Sequence, residues 1–384
     1  MEIARIAPLA YKPGHLEYFQ FIRGGVGADY HQGPYFYQFP EGDVLMYWYA
    51  YDFDEASNNC ASLYSISKDR GITWSSPQVF MADYLGGVPY FVLMLRLRQS
   101  RRTMMLFARC RNDEIMVDEE RRVQTTWCDY FKSSTRIFLR WSNDGGRSFD
   151  HGREIPYTDI CGEKVLPGVG CYGSADHLME LKSGRILAAF MFMDPTRSDA
   201  EKRVQHYTGV CLLSDDAGRT WRRSGEISVD TPRGVMELQM VETGPDRLFC
   251  LFRTQGGYLY QTISEDGGQT WSRSEPSALP SPESMARMIK LQSGNILVVW
   301  NNVSSTTQQP RHPLSAVISK DGGRTWNQPR VIVDETGSNQ LSNHGLIQLD
   351  DGKILLGISH YRDVRPMSSD LDMAVFDEEW LHNG

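Results

Sequence analysis

Ser67-Lys68-Asp69-Arg70-Gly71-Ile72-Thr73-Trp74 decides the fold, because its pattern, Ser-x-Asp-x-Gly-x-Thr/Ser-Trp/Phe, returns four more times. The other copies run from Ser142 to Phe149, Ser214 to Trp221, Ser264 to Trp271 and Ser319 to Trp326. The chemistry is that of a strand-to-strand turn. The carboxylate accepts from exposed backbone N–H groups, glycine supplies a positive φ, and the closing aromatic packs back on the sheet. One copy marks a turn; five in register mark a repeat architecture.

A second repeat is interleaved with the first: a short hairpin of the form polar–Gly–x–Ile/Leu–Leu. Its glycines are Gly42, Gly184, Gly244, Gly294 and Gly352, and a degenerate sixth copy leads from Arg98 into Met104-Met105-Leu106. Six hairpins and five aspartate turns at roughly 50–75 residue spacing suit one four-stranded blade each. The expectation is an all-β chain forming a six-bladed β-propeller, as a single domain over residues 1–384.

With 384 residues, 41% of them hydrophobic and 23% charged, the chain can bury a sizeable core. A net charge of −8 argues against nucleic acid, which requires a basic footprint. It says little about an acidic small ligand, because local arginines override a net sign. No window approaches the ~18 apolar residues of a membrane-spanning helix, and residues 1–15 lack the apolar core of a signal peptide. The seven cysteines are odd in number, lack metal-type pairing and read as reduced thiols. A cytoplasmic location follows as the expectation, or a secreted or periplasmic one if a leader has been removed. Gly168-Val169-Gly170-Cys171-Tyr172-Gly173 matches a dinucleotide motif, but no helix is expected after it. No metal or cofactor is expected.

Blade topology locates a site. If strands run outward from an axis, hairpins and aspartate turns share one face, and the starts of the innermost strands line a pocket on the other. Counting back seven from each hairpin glycine gives Tyr35, His177, Glu237, Arg287 and Gly345 at those starts. A charge on an innermost strand is costly unless it faces the pocket or is paired, so Glu237 and Arg287 are candidates, either for function or as each other's partner. Asp52 and Asp54, Arg109, Arg253 and His360-Tyr361-Arg362 end the second strands, and Arg311 ends a loop on the same face. Converging arginines favour a carboxylate or sulfate ligand.

The five turns resemble the Asp-boxes of sialidases (neuraminidases), and the resemblance extends over essentially the whole chain. It implies that Glu237 stands for the glutamate that activates the nucleophile, Arg253 and Arg311 for two of three carboxylate-binding arginines, and Asp54 or Asp52 for the acid/base. Two positions depart from it. Tyr30-His31-Gln32-Gly33-Pro34 replaces the Arg-Ile-Pro that carries the first arginine, and Ser342-Asn343-His344-Gly345 stands where the nucleophilic tyrosine would be. Tyr361 is close in sequence but ends a different strand.

Candidate catalytic residues are therefore Glu237, Asp54, His344 and His177, with Arg253, Arg311, Arg287, His31, Tyr361 and Asp52 binding the substrate. The expected partner is an acidic saccharide. A sialidase-like exo-glycosidase acting on a terminal sialic or uronic acid leads. A uronate lyase using one of His31, His177 or His344 as base is the alternative, as is a sugar-binding propeller without turnover.

Overall fold

The computed structural model describes residues 10–25, 28–51, 60–82, 87–111, 114–118, 123–127, 134–162, 173–335, 340–362 and 368–383. The architecture is all-β, with two single-turn helices among the described residues. Contacts divide the chain into two compact units, Met1–Glu55 with Cys60–Ala82 and Leu279–Gly384, and Asp83–Ala278 with Ala56–Asn59.

In chain order, β1 (Glu17–Ile22) precedes an antiparallel run of β2 (Tyr30–Gln38), β3 (Val44–Tyr51), β4 (Cys60–Ser67) and β5 (Gln78–Ala82). The second unit opens with β6 (Gly87–Arg96) and β7 (Thr103–Arg111). A separate hairpin, β8 (Glu114–Asp118) and β9 (Val123–Trp127), intervenes before β10 (Ser134–Ser142) and β11 (Arg153–Ile155) complete that sheet. Helix α1 (Thr158–Cys161) leads to the sheet of β12 (Gly173–Glu180), β13 (Ile186–Met193), β14 (Tyr207–Ser214) and β15 (Arg222–Arg223). The next sheet holds β16 (Met236–Gly244), β17 (Arg247–Arg253), β18 (Tyr258–Ser264) and β19 (Glu275–Pro280). The first unit resumes with β20 (Arg287–Lys290), β21 (Ile296–Asn301), β22 (Leu314–Ser319) and β23 (Arg330–Val333). It ends with β24 (Gln340–Gln348), β25 (Ile354–Arg362), β26 (Ser368–Phe376) and helix α2 (Glu378–His382).

Strand β1 pairs antiparallel with β26, so the start of the described chain supplies the fourth strand of its last sheet. That sheet joins the β2–β5 sheet through one parallel pair, Tyr30 with Ser369. Each unit thus contains three four-stranded runs with the first two strands of each forming a hairpin. The second strands, such as Ile354-Leu355-Leu356 in β25 and Ile186-Leu187-Ala188 in β13, are buried on both faces. In the first unit, Leu297, Val299, Ile318, Leu356 and Phe376 belong to one apolar cluster, and Trp48, Phe21, Trp74 and Met373 to another.

All five aspartate turns have the expected chemistry. In the first, Asp69 Oδ1 accepts from Thr73 N (2.8 Å), Oδ2 from the Thr73 hydroxyl (2.5 Å), and Ser67 Oγ takes Gly71 N (2.7 Å). The equivalent bonds recur around Asp144, Asp216, Asp266 and Asp321. Gly71 and its four counterparts all have a positive φ. Accepting the Thr220 and Thr325 hydroxyl and amide bonds pulls Asp216 and Asp321 down to about 2. A depressed carboxylate stabilises the fold above its unfolded value, near 4, and that contribution is lost as pH falls through the folded value. Replacing both with asparagine is therefore expected to flatten the fall in urea midpoint between pH 4 and pH 2. An unchanged slope would show that these turns do not carry the acid response.

One register expectation needs correcting. The left-handed residue of the hairpin turn is Gly42, Gly184, Gly294 or Gly352 in four hairpins, but in the β16–β17 hairpin it is Asp246, not Gly244. Glu237 therefore lies nine residues before its turn residue, as Gly33 and Asn343 do, and not seven like Arg287 and Gly345. Gly33, Glu237 and Asn343 share a left-handed backbone (φ 60°, 53° and 45°) at the bulge that interrupts β2, β16 and β24. Glycine and asparagine adopt that conformation readily, whereas a glutamate is held there at a cost of about 1 kcal/mol.

Candidate active site

In the second unit, the bulge in β16 lifts Glu237 out of the ladder, between the paired residues Met236 and Gln239. Its Oε1 accepts from Arg253 Nη1 at 3.0 Å, with the two side chains 15% and 10% exposed. Oε2 is buried and has no hydrogen-bond partner among the described residues. Arg253 ends β17, directly across from Met236, so the hairpin register itself delivers the guanidinium to the bulge. The partner of Glu237 is thus Arg253; the alternative pairing with Arg287 is not what the sequence specifies. His177, one residue past the β12 bulge, is half-buried. Its neighbour Asp176 is buried and accepts from Leu238 N at 3.2 Å. Counting back seven passed over Asp176, because the bulge between Ala175 and His177 adds a residue to the strand.

In the first unit, Arg287 opens β20 as expected. Its Nε donates to the His344 carbonyl at 2.5 Å and its guanidinium lies 5.0 Å over the Tyr35 ring, which stacks in turn on Tyr47. The two Nη atoms make no hydrogen bond among the described residues. Arg311 is more committed: Nε donates to Gln308 O, Nη1 to Ser342 Oγ at 2.8 Å and Nη2 to Glu283 O. These bonds tie Arg311 to its own loop, to the start of β24 and to the segment before β20.

Two of the three candidate histidines are buried. His31 is 1% exposed and its Nδ1 accepts from the Trp48 indole at 3.1 Å, which makes it a core residue of the β2–β3 hairpin rather than a pocket contact. His344 is fully buried, and burial together with Arg287 and Arg311 pushes its pKa down to about 3. Such an imidazole stays neutral and holds a proton too weakly to serve as a strong general base.

Tyr361 ends β25, half-buried, and its hydroxyl accepts from Asn343 Nδ2 at 3.0 Å while its ring lies 6.1 Å from Tyr30. Asn343 escaped the sequence reading; its left-handed bulge position, nine residues before Gly352, is the signal that identifies it. Arg362 is an ion-pair partner of buried Asp370 (2.6 Å), not a free loop charge. Asp52 and Asp54 lie outside the described residues. Cys60, Cys161, Cys211 and Cys250 are free thiols, and no helix is long and apolar enough to cross a membrane.

The two positions that depart from the sialidase pattern meet in space. A Cβ on Gly345 would stand 2.0 Å from the Pro34 carbonyl oxygen, and one on Gly357 would stand 2.6 Å from Pro34 Cγ. The segment lacking the first arginine is packed onto the segment lacking the tyrosine, at a spacing only glycine permits.

No curated protein sequence matches the chain. Among solved structures, a variant of NanB sialidase from Streptococcus pneumoniae is similar with a TM-score of 0.66 at 15% identity, over 97% of this chain and 71% of that one. The intramolecular trans-sialidase of Ruminococcus gnavus gives 0.66 at 14% identity, over 92% of this chain and 96% of that one. A protein of unknown function from Dyadobacter fermentans gives 0.69 at 17% identity, over 95% and 100%. Likeness at these identities establishes the fold alone. The family described as BNR repeat-like domain matches residues 96–356, which take in four of the five aspartate turns together with Glu237, Arg253, Arg287 and Arg311. The chain therefore belongs to the BNR repeat-like domain family.

Proposed function

We propose that the protein is a sialidase-like exo-glycosidase that releases a terminal acidic sugar, sialic or uronic, from a glycan. The observation that carries this reading is Glu237. A carboxylate held on a left-handed bulge, with one oxygen neutralised by Arg253 and the other buried without a partner among the described residues, is poorly explained by stability alone. It suits a group that takes a proton from an attacking hydroxyl or water. Arg287, whose Nη groups make no hydrogen bond among the described residues, and Arg311 are the proposed carboxylate-binding arginines, Arg311 following the resemblance. Asp54 or Asp52 remains the proposed acid/base partner, following the resemblance. The six-bladed propeller with Asp-boxes belongs to the same proposal, to which the three four-stranded runs in each unit lend their number.

Hydrolysis is favoured over elimination because two of the three histidines a lyase could use as base are unsuited to it, His344 being driven neutral and His31 accepting from Trp48, which leaves the lyase only His177. The test is an assay on terminal sialosides and uronate-ended oligosaccharides. Wild type is expected to release free sugar without the absorbance of a conjugated alkene, and Glu237→Gln to lower kcat by ~10²–10⁴-fold. Alkene absorbance would favour the lyase. Saturable binding with no turnover, the same in both proteins, would leave a sugar-binding protein.

A further inference from the structure

Glu237 cannot hold its conformation unaided, because a glutamate at φ 53° sits in a region that side chains other than glycine and asparagine seldom occupy. Residues 237 and 238 fall in the register shift between the pairs Met236–Arg253 and Gln239–Leu251, so the Leu238 amide is left without a ladder partner on β17. Leu238 is fully buried, and an unsatisfied N–H there would cost the bulge its stability.

The structure supplies the missing acceptor from the neighbouring sheet. Asp176 Oδ2, on the bulge of β12, accepts from Leu238 N at 3.2 Å. Gln239 closes the arrangement: its Nε2 donates to the Asp176 carbonyl at 3.3 Å and to the Leu238 carbonyl at 3.0 Å. The Leu238 side chain fills the space above Gly209 of β14, where a Cβ would come within 2.9 Å of it. Asp176 is only 5% exposed, and the amide its carboxylate satisfies belongs to the neighbour of Glu237.

We infer that Asp176 is a positioning residue: by capping the Leu238 amide it fixes the left-handed bulge that aims the Glu237 carboxylate. The inference rests on reading Glu237 as the catalytic carboxylate. Asp176 itself touches no reacting atom; its effect passes through the backbone of residues 237–239.

The test pairs hydrogen exchange at the Leu238 amide with kinetics on the terminal sialosides and uronate-ended oligosaccharides. Asp176→Ala is expected to speed exchange by ~10-fold or more. It should lower kcat by ~10-fold or more with KM within ~2-fold, since a misplaced catalytic group loses rate rather than binding. Asp176→Asn keeps an acceptor at Oδ1 and should recover most of both effects. Gln239→Met, which deletes two of the three ties without stranding a charge, serves as a second variant should Asp176→Ala fold poorly, and should fall between. Unchanged exchange in Asp176→Ala and Gln239→Met would overturn the cap whatever the chemistry. Faster exchange with full turnover, in a protein that Glu237→Gln inactivates, would overturn the positioning role alone. Full turnover in Glu237→Gln would overturn the role of Glu237 and this inference with it.

Discussion

Gly345→Ala is expected to lower stability by about 3 kcal/mol, or to prevent folding altogether, at the cost of a single methyl group. The added Cβ would stand 2.0 Å from the Pro34 oxygen and 2.7 Å from its carbonyl carbon, atoms of a backbone that cannot rotate away as a side chain could. Strand β2 is pinned there from several directions. Gly33 N donates to Ser359 Oγ at 2.9 Å, Ser359 Oγ reaches the Asn343 carbonyl, and Ser369 Oγ donates to the His31 carbonyl at 3.0 Å. Relief of the clash would have to break these bonds. The urea midpoint measures the loss, and a midpoint within experimental scatter of wild type would show that β2 and β24 do not approach so closely in solution. The same geometry explains why no tyrosine can stand at position 345: a carbonyl oxygen fills the space its Cβ needs.

Asp370→Ala is expected to cost about 2–3 kcal/mol, since it strands the Gln20 and Gly24 donors while the half-exposed Arg362 can turn to solvent. Asp370 is 1% exposed and accepts from Gln20 Nε2 at 2.5 Å, Gly24 N at 2.8 Å and Arg362 Nε at 2.6 Å. Two residues along β26, Asp372 takes the Tyr18 hydroxyl at 2.5 Å and His360 Nδ1 at 2.7 Å. Farther on, Asp377 takes the Tyr11 hydroxyl and Gly14 N. These three aspartates hold residues 11–24 onto the last strand, so losing Asp370 should free β1 before the rest of the sheet. Faster hydrogen exchange confined to β1 at low denaturant, together with a lower global midpoint, is the expected pattern. Wild-type exchange across β1 in Asp370→Ala would contradict it.

The repeated turns made most of the fold legible, because each is closed by its own eight residues. Their hydrogen bonds need no distant partner, and the same letters give the same geometry five times. The hairpins were legible for the same reason except where Arg101 and Asp246 take the left-handed position that glycine holds in the other four. Asp246 moved the count by two, so Glu237 was reached on a register that differs from that of Arg287 and Gly345. The site was less legible. Bulges on the first strand of these sheets add a residue to the count, which hid Asp176 behind His177 and Asn343 behind His344. Whether a histidine meets solvent depends on distant packing, so nothing local revealed that Trp48 would bind His31 or that two arginines would flank His344.

The most direct test of the account is a crystal structure with a sialic acid- or glucuronic acid-ended saccharide bound, inspected around Glu237. The account predicts the sugar, or the water set to attack it, within hydrogen-bond reach of Glu237 Oε2. A saccharide bound with full occupancy away from both Glu237 and Arg253 would contradict it.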